Sequence, residues 1–388
     1  MVHGVTHMNP EFLILGGGPA GCAAAITLAR AGRNVTLVER EAKPKHKICG
    51  EFLSTEALTY LHYLGVHPRS LGATSIHAVR LATRSRHTTA PLPFDALSLT
   101  RHTLDEALLQ SAEASGVTVL RGSAVHSLTQ TQTVQKTWCA TLAGGVELRA
   151  PHAFLATGKH DLRAHARPPG KQSNLIAFKM YFRLTPEQSA ALAGHVELML
   201  YRGGYAGLQP VEQGVANLCC LIDRKLYLDF GGTWHALLSA MRGRCSLLRE
   251  RMRDARQLLD KPLAVSPIPY GFLRKHAMAE NLWALGDQAA VIPSFTGDGM
   301  SIALHSGILA ADACLRGESS EQYQQSLNAE LSRQVKLATL FSRGLTHSLS
   351  RSVLAAGARL WPSAIGTVAH STRLQPLFEA PGRVAPLS

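Results

Sequence analysis

Between Phe12 and Glu39 the chain spells an apolar strand, a glycine turn, a helix and a second apolar strand, an order that few folds accept. Phe12 to Leu15 are four apolar residues in a row, the pattern of a strand buried on both faces. Gly16 allows the tight turn, Gly18 lets the backbone approach a pyrophosphate, and Gly21 lets the helix pack close to the sheet. The helix opens at Pro19 and Ala20, so its free N–H groups and positive dipole end face that pyrophosphate. Val35 to Val38 is the second strand. Glu39 at its tip, with Arg40 beside it, is placed to accept hydrogen bonds from an adenosine ribose, and an acid there favours an unphosphorylated ribose, as in FAD or NAD.

The chain has 388 residues, enough for one large domain or two, and with 46% hydrophobic and 17% charged residues it is globular. Its formal charge is +13, but the basic residues lie in scattered knots such as Lys43-Pro-Lys45-His46-Lys47, with no aromatic-interleaved stripe. That excludes nucleic acid as the expected partner. It favours anions instead: dinucleotide phosphates, an acidic carrier or thioester substrate, or an anionic membrane face. The seven cysteines show no metal-binding spacing, so no metal is expected, and a reducing, cytoplasmic setting is. No run of 18 or more apolar residues exists, so no spanning helix is expected.

Strand–helix alternation continues with a helix over 103–115, a strand over 117–120, a hairpin around Gly144-Gly145, and the short apolar strand that ends at Thr157-Gly158. From about Leu175 to Tyr270 the pattern changes to β-prone runs (176–184, 196–200, 216–222), followed by a helical, basic stretch over 234–259. Another buried strand precedes a helix over 299–315. The tail from Ser320 to about His370 reads as mostly helical, suited to closing a substrate cavity or touching a membrane surface.

A second glycine turn stands far down the chain: Trp283-Ala-Leu-Gly286-Asp287, then Pro293-Ser-Phe295-Thr-Gly297-Asp298-Gly299-Met300. Asp287 can bind the hydroxyls of a ribityl chain. The helix that starts at Gly299 and Met300 points its N–H groups at the place where reduced flavin carries negative charge. Asp298 either orients substrate or satisfies turn N–H groups. The third piece is Arg101 at a helix start, within reach of a phosphate or the flavin edge.

These three pieces, in this order, resemble the single-Rossmann flavoproteins: p-hydroxybenzoate-hydroxylase-like aromatic monooxygenases, flavin halogenases and the geranylgeranyl-reductase group. The resemblance implies FAD and an α/β fold, the glutathione-reductase-type FAD-binding Rossmann fold with an inserted β-rich substrate domain and C-terminal helices. Expected boundaries are 1–75, 100–165 and 272–330 for the FAD domain, 76–99 and 166–271 for the substrate sheet, and 331–388 for a helical tail. Lys47-Ile-Cys49-Gly50-Glu51-Phe-Leu-Ser-Thr-Glu-Ala57-Leu58 is similar to the K-x-C-G-x-x-L-S-x-x-A-L segment of the reductase group, which implies that Cys49, Gly50 and Glu51 border the reacting face. Cys49 is read as lining, since no resolving cysteine is visible nearby. Glu51 and His46 are candidate proton donors or substrate binders, and for His46 a solvated place in its charged knot is an equal reading. Tyr205-Ala-Gly207-Leu-Gln209-Pro210 stands where that group has Y-x-W-x-F-P, and its departures enlarge the substrate wall and make it more polar. Tyr205, Gly207, Gln209, Pro210 and Phe295 are the expected substrate lining.

The expected activity is that of an FAD-dependent oxidoreductase. Hydroxylation of an apolar phenolic or polyketide-like metabolite is preferred to double-bond reduction. A flavin halogenase (the W-x-W-x-I-P segment is absent) and a non-catalytic electron-transfer flavoprotein rank lower. No second G-x-G-x-x-G serves NAD(P)H, so electrons come from transiently bound NAD(P)H or from a reduced carrier partner. The substrate is a small apolar molecule, free or carrier- or CoA-linked.

Overall fold

The computed structural model describes residues 10–131, 136–346, 373–374 and 377–378. The opening unit forms as its spacing dictates: β1 (Phe12–Leu15), α1 (Pro19–Arg30) and β2 (Val35–Glu39), every strand residue buried. Next come β3 (Phe52–Leu53), α2 (Thr55–Tyr63), the ribbon β4 (Thr74–Ala82) and β5 (His87–Ser98), α3 (Arg101–Ala114) and β6 (Thr118–Arg121). A three-stranded flap, β7 (Val125–Gln130), β8 (Trp138–Leu142) and β9 (Glu147–Ala150), precedes β10 (His152–Leu155). The second half runs β11 (Leu175–Arg183), α4 (Pro186–Leu192), β12 (Gly194–Tyr201), β13 (Gly204–Val211), β14 (Val215–Asp223), α5 (Arg224–Asp229), α6 (Trp234–Arg244) and α7 (Ser246–Arg251). It ends with β15 (Arg256–Gln257), β16 (Leu263–Val265), β17 (Phe272–Leu273), β18 (Leu282–Ala284), β19 (Ala290–Val291), α8 (Gly299–Leu315) and α9 (Ser320–Thr346).

Two sheets organise these elements. The first is wholly parallel, in the order β18-β10-β1-β2-β6, so strands from residues 12 to 284 meet in one layer. Helices α1 and α8 pack on it face to face. Gly307 of α8 makes this possible, because a Cβ there would stand 2.3 Å from the Ala20 carbonyl oxygen. The second sheet has nine strands, with β11, β14, β13, β12, β4 and β5 as its main run, antiparallel except where β12 meets β4. One face buries Phe178, Met180, Cys220 and Ile222 under α6 and α7. The other face turns towards the ends of the parallel strands.

One expectation needs correction, one group of strands was left undelimited, and one expectation is covered only in part. The stretch 234–259 is two helices and a strand: Cys245 adopts an extended backbone (φ −136°, ψ 112°) that buries its thiol, and Arg256–Gln257 pairs with β11. The ribbon β4–β5 and strand β13 lie within the stretches assigned to the substrate sheet but were not singled out as strands, since Pro91 and Pro93 interrupt the alternation and Gly204 and Gly207 dilute it. The tail helix is described to Thr346; the expectation for 347–370, Pro362 included, falls outside the described residues.

Candidate functional site

The glycine turn after β1 works as the spacing requires. Gly16 has φ +117°, open to glycine, and a Cβ on Gly21 would lie 1.9 Å from the Gly16 carbonyl oxygen. Glu39 closes the turn from the neighbouring strand: Gly17 N donates to its Oε2 (2.7 Å) and Glu41 N to its Oε1 (3.0 Å). The carboxylate is thus aimed before any ligand arrives, with lone pairs left for hydroxyl donors.

A cleft of about 470 Å³ opens beside this turn, lined by Gly16, Gly18, Glu39, Arg40, Thr157 and Gly158. It continues past Arg101 and Asp287 into an inner chamber of about 160 Å³. Pro19, Ala20, Cys49, Gly50, Gly286, Gly297, Gly299 and Met300 all border that chamber, although they come from segments far apart in the chain. Gly21 lies beneath the turn and does not line it. A flavin dinucleotide fits this donor set. At Gly50, Gly158 and Gly299 a Cβ would meet open space within 4 Å, so ligand atoms can sit against bare backbone. Arg101 is held by Asp105 through two hydrogen bonds (2.5 and 2.8 Å) and reaches over Gly18, where a Cβ would stand 3.4 Å from its Nη2. Lys159 donates to the Ile48 carbonyl (2.9 Å) and stands 3.8 Å from the Asp287 carboxylate.

Residues 10–168 match the family model described as an FAD binding domain. The chain carries an FAD binding domain and is an FAD-dependent oxidoreductase. It is 26% identical to the menaquinone reductase of Mycobacterium tuberculosis over 325 residues, 78% of this chain and 76% of that one. The probable FAD-dependent monooxygenase of Pseudomonas aeruginosa has the same fold (TM-score 0.72, 18% identity, covering 90% of this chain and 99% of that one). So does the myxobacterial chondrochloren halogenase (TM-score 0.74, 20% identity, 92% and 90%). No helix among the described residues is long and apolar enough to cross a membrane.

The rest of this oxidoreductase's chamber is built by the inward face of the nine-stranded sheet. Strand alternation sets three rows across β11, β14 and β13: Ala177–Leu221–Tyr205, then Lys179–Cys219–Gly207, then Tyr181–Asn217–Gln209. The first row is the apolar wall, joined by Ile268, Tyr270 and Val291. Tyr205 reaches Ser294 Oγ with its hydroxyl (2.6 Å), and Tyr270 donates to the same atom (2.7 Å), so three hydroxyls converge at one place on an otherwise apolar surface. Burial pushes the Tyr270 phenol up to about 12 and Tyr205 well above its ordinary value. Cys219 also borders the chamber, its thiol raised to about 11 by burial.

Several sequence expectations fail at this wall. Gln209 does not make it polar: its amide is buried and spent on Ser98 Oγ (2.5 Å). Tyr205, Gly207, Gln209, Pro210 and Phe295 do not border the chamber; Tyr205 is linked to it through Ser294, and Phe295 packs edge-on against Tyr205 at 6.0 Å. Asp298 turns away from the cleft, its Oδ1 accepting from Arg373 (2.9 Å). Glu51 borders the chamber but is fully buried, its Oε1 accepting from Lys179 (2.5 Å), Tyr181 (2.7 Å) and Arg101 N (2.7 Å). Burial raises its pKa, against the pull of Lys179. His46 is no solvated surface group: it packs against Tyr181 (4.6 Å) and His102 (5.0 Å), and burial, then Lys179, lowers it to about 4.

Sequence reasoning missed Lys179, Tyr181, Asn217, Tyr270 and Ser294. One signal was available, a lysine at the centre of the apolar run Ile176-Ala-Phe-Lys179-Met-Tyr-Phe182. A charge there must find a partner inside.

Proposed function

We propose that this chain is a flavin monooxygenase that hydroxylates an apolar phenolic or polyketide-like ring. The observation that carries the reading is the hydroxyl cluster Tyr205–Ser294–Tyr270 in an apolar wall. Three O–H groups share two internal hydrogen bonds, which leaves one proton to point outward at a single ring oxygen. Ala177, Leu221, Ile268 and Val291 surround that point, so the ring is desolvated and the wall keeps water from the reacting face. The chemistry that FAD supplies when bound is two-electron activation of oxygen, one atom entering the ring and the other leaving as water. Gly16, Gly18, Glu39, Arg40 and Thr157 hold the adenosine and pyrophosphate end in this reading. Gly286, Asp287, Gly297, Gly299 and Met300 hold the flavin end, and Cys49 is lining.

Electrons come from NAD(P)H or a reduced carrier, and the basic rim at Lys45 and Lys159 suits an anionic donor or a carrier- or CoA-linked substrate. Residues 1–75, 100–165 and 272–330 serve the cofactor and 76–99 with 166–271 the substrate, in a cytoplasmic protein with peripheral membrane contact as a further option.

Reduction of a carbon–carbon double bond is the second reading. The Lys47 to Leu58 segment and the menaquinone reductase relative favour it. The experiment supplies reduced enzyme with alkylphenol and isoprenoid-quinone substrates, with and without oxygen. A product about 16 mass units heavier, formed only in oxygen, supports hydroxylation. A product about two units heavier, formed without oxygen, replaces it by reduction.

A further inference from the structure

The third row of the sheet face, with Lys179, spends its polar groups on one short segment. Lys179 Nζ donates to the Lys47 carbonyl (3.0 Å) as well as to the Glu51 carboxylate. Asn217 Nδ2 donates to the carbonyls of Cys49 (3.3 Å) and Gly50 (3.0 Å). Tyr181 donates to Glu51 Oε1, and Gln209 donates to Ser98 Oγ, which donates in turn to the Glu51 carbonyl (3.2 Å). All four side chains are buried and come from three adjacent strands. The segment they hold is strained: Glu51 stands at φ +64°, in the left-handed region that a side chain with a Cβ avoids.

We propose that Lys179, Tyr181, Asn217 and Gln209 form a positioning clamp by which the large sheet sets where Cys49–Glu51 stands against the flavin's reacting face. The argument is mechanical. A residue at positive φ relaxes unless its surroundings over-determine it, and relaxation here would swing the Cys49–Gly50 and Gly50–Glu51 peptides, both of which border the chamber. The Rossmann side contributes Arg101 N and Lys159 to the same segment, so the strap is stretched between the two sheets and registers one against the other. The Glu51–Lys179 pair anchors it with opposite charges in full burial, a pairing whose loss on one side alone leaves a charge stranded. None of these groups needs to touch substrate. The clamp is the same whether the reaction is oxygenation or reduction, so its failure would leave the proposed activity standing.

Asn217→Leu removes both bonds to the Cys49 and Gly50 carbonyls at nearly constant volume. Lys179→Met/Glu51→Gln removes the buried charges together and stands in if the first variant does not fold. Hydrogen exchange across 47–53 and mass-mapped alkylation of Cys49 are measured in the FAD-loaded protein, with exchange over Phe12–Leu15 as the fold control. Loss of two neutral hydrogen bonds predicts about tenfold to thirtyfold faster local opening. It also predicts about tenfold less product per electron consumed, with KM within about threefold of wild type. Exchange and Cys49 alkylation within about twofold of wild type in a folded variant would overturn the clamp, as would a loss of coupling with the segment unmoved.

Discussion

Asp298→Asn should abolish a stability penalty that wild type carries above acidic pH. The carboxyl is 1% exposed, and its Oδ1 accepts from Arg373 at 2.9 Å. Burial, with the neighbouring Glu56 charge adding to it, outweighs Arg373 and pushes the pKa up to about 7. The unfolded chain releases this proton near about 3.9. Between those values the native state binds more protons than the unfolded state, so stability falls as pH rises from about 4 to about 7, then stays level. Each pH unit is worth ~1.4 kcal/mol, so the full penalty is about 4 kcal/mol, of which about 2 to 3 falls between pH 5 and 8. Asparagine is neutral at every pH and removes that slope. Urea unfolding of both proteins at pH 5 and pH 8 reads the difference directly. The stability of wild type relative to the variant should drop by about 2 to 3 kcal/mol over that interval. Parallel pH dependences, agreeing within about 0.5 kcal/mol, would show that Arg373 keeps the carboxylate ionised and that the burial argument fails.

Gly21→Ala forces a methyl against the Gly16 carbonyl, so the apoprotein should lose about 1–3 kcal/mol and the purified variant should be colourless, checked by unfolding and the flavin absorbance. Glu39→Ala should weaken the protein even without FAD, because Gly17 N and Glu41 N both lose their acceptor; about 1.5–3 kcal/mol per bond is expected in apoprotein melts, alongside loss of FAD in titrations. Cys49→Ser should keep at least about a tenth of the activity in turnover assays, since a lining thiol needs only to be replaced by a group of similar size; near-total loss would make it a reacting group.

How much of this was readable in advance differs from element to element. The turn at Gly16–Gly21 and its Glu39 partner were legible because their chemistry is local: glycine conformation, helix dipole and a strand-tip acid lie within 28 residues. The second turn at Gly286–Met300 was legible for the same reason, and the structure brings it to the first. The chamber was not. Alternation says that Ala177, Lys179 and Tyr181 share a face, yet it cannot say which face looks at the cofactor or which strands lie beside it. Tyr205, Tyr270 and Ser294 are separated by up to 89 residues and meet only after strand pairing and the turn before α8 fix their directions. Asp298 and Glu51 misled for one reason: an acid in a glycine-rich motif looks available until its buried partners, Arg373 and Lys179, are seen. The sequence by itself determined the two backbone turns that border the cleft, since backbone geometry is written in glycines. Only the tertiary structure decided which side chains face it, because that depends on sheet register and on charges paired across long stretches of chain.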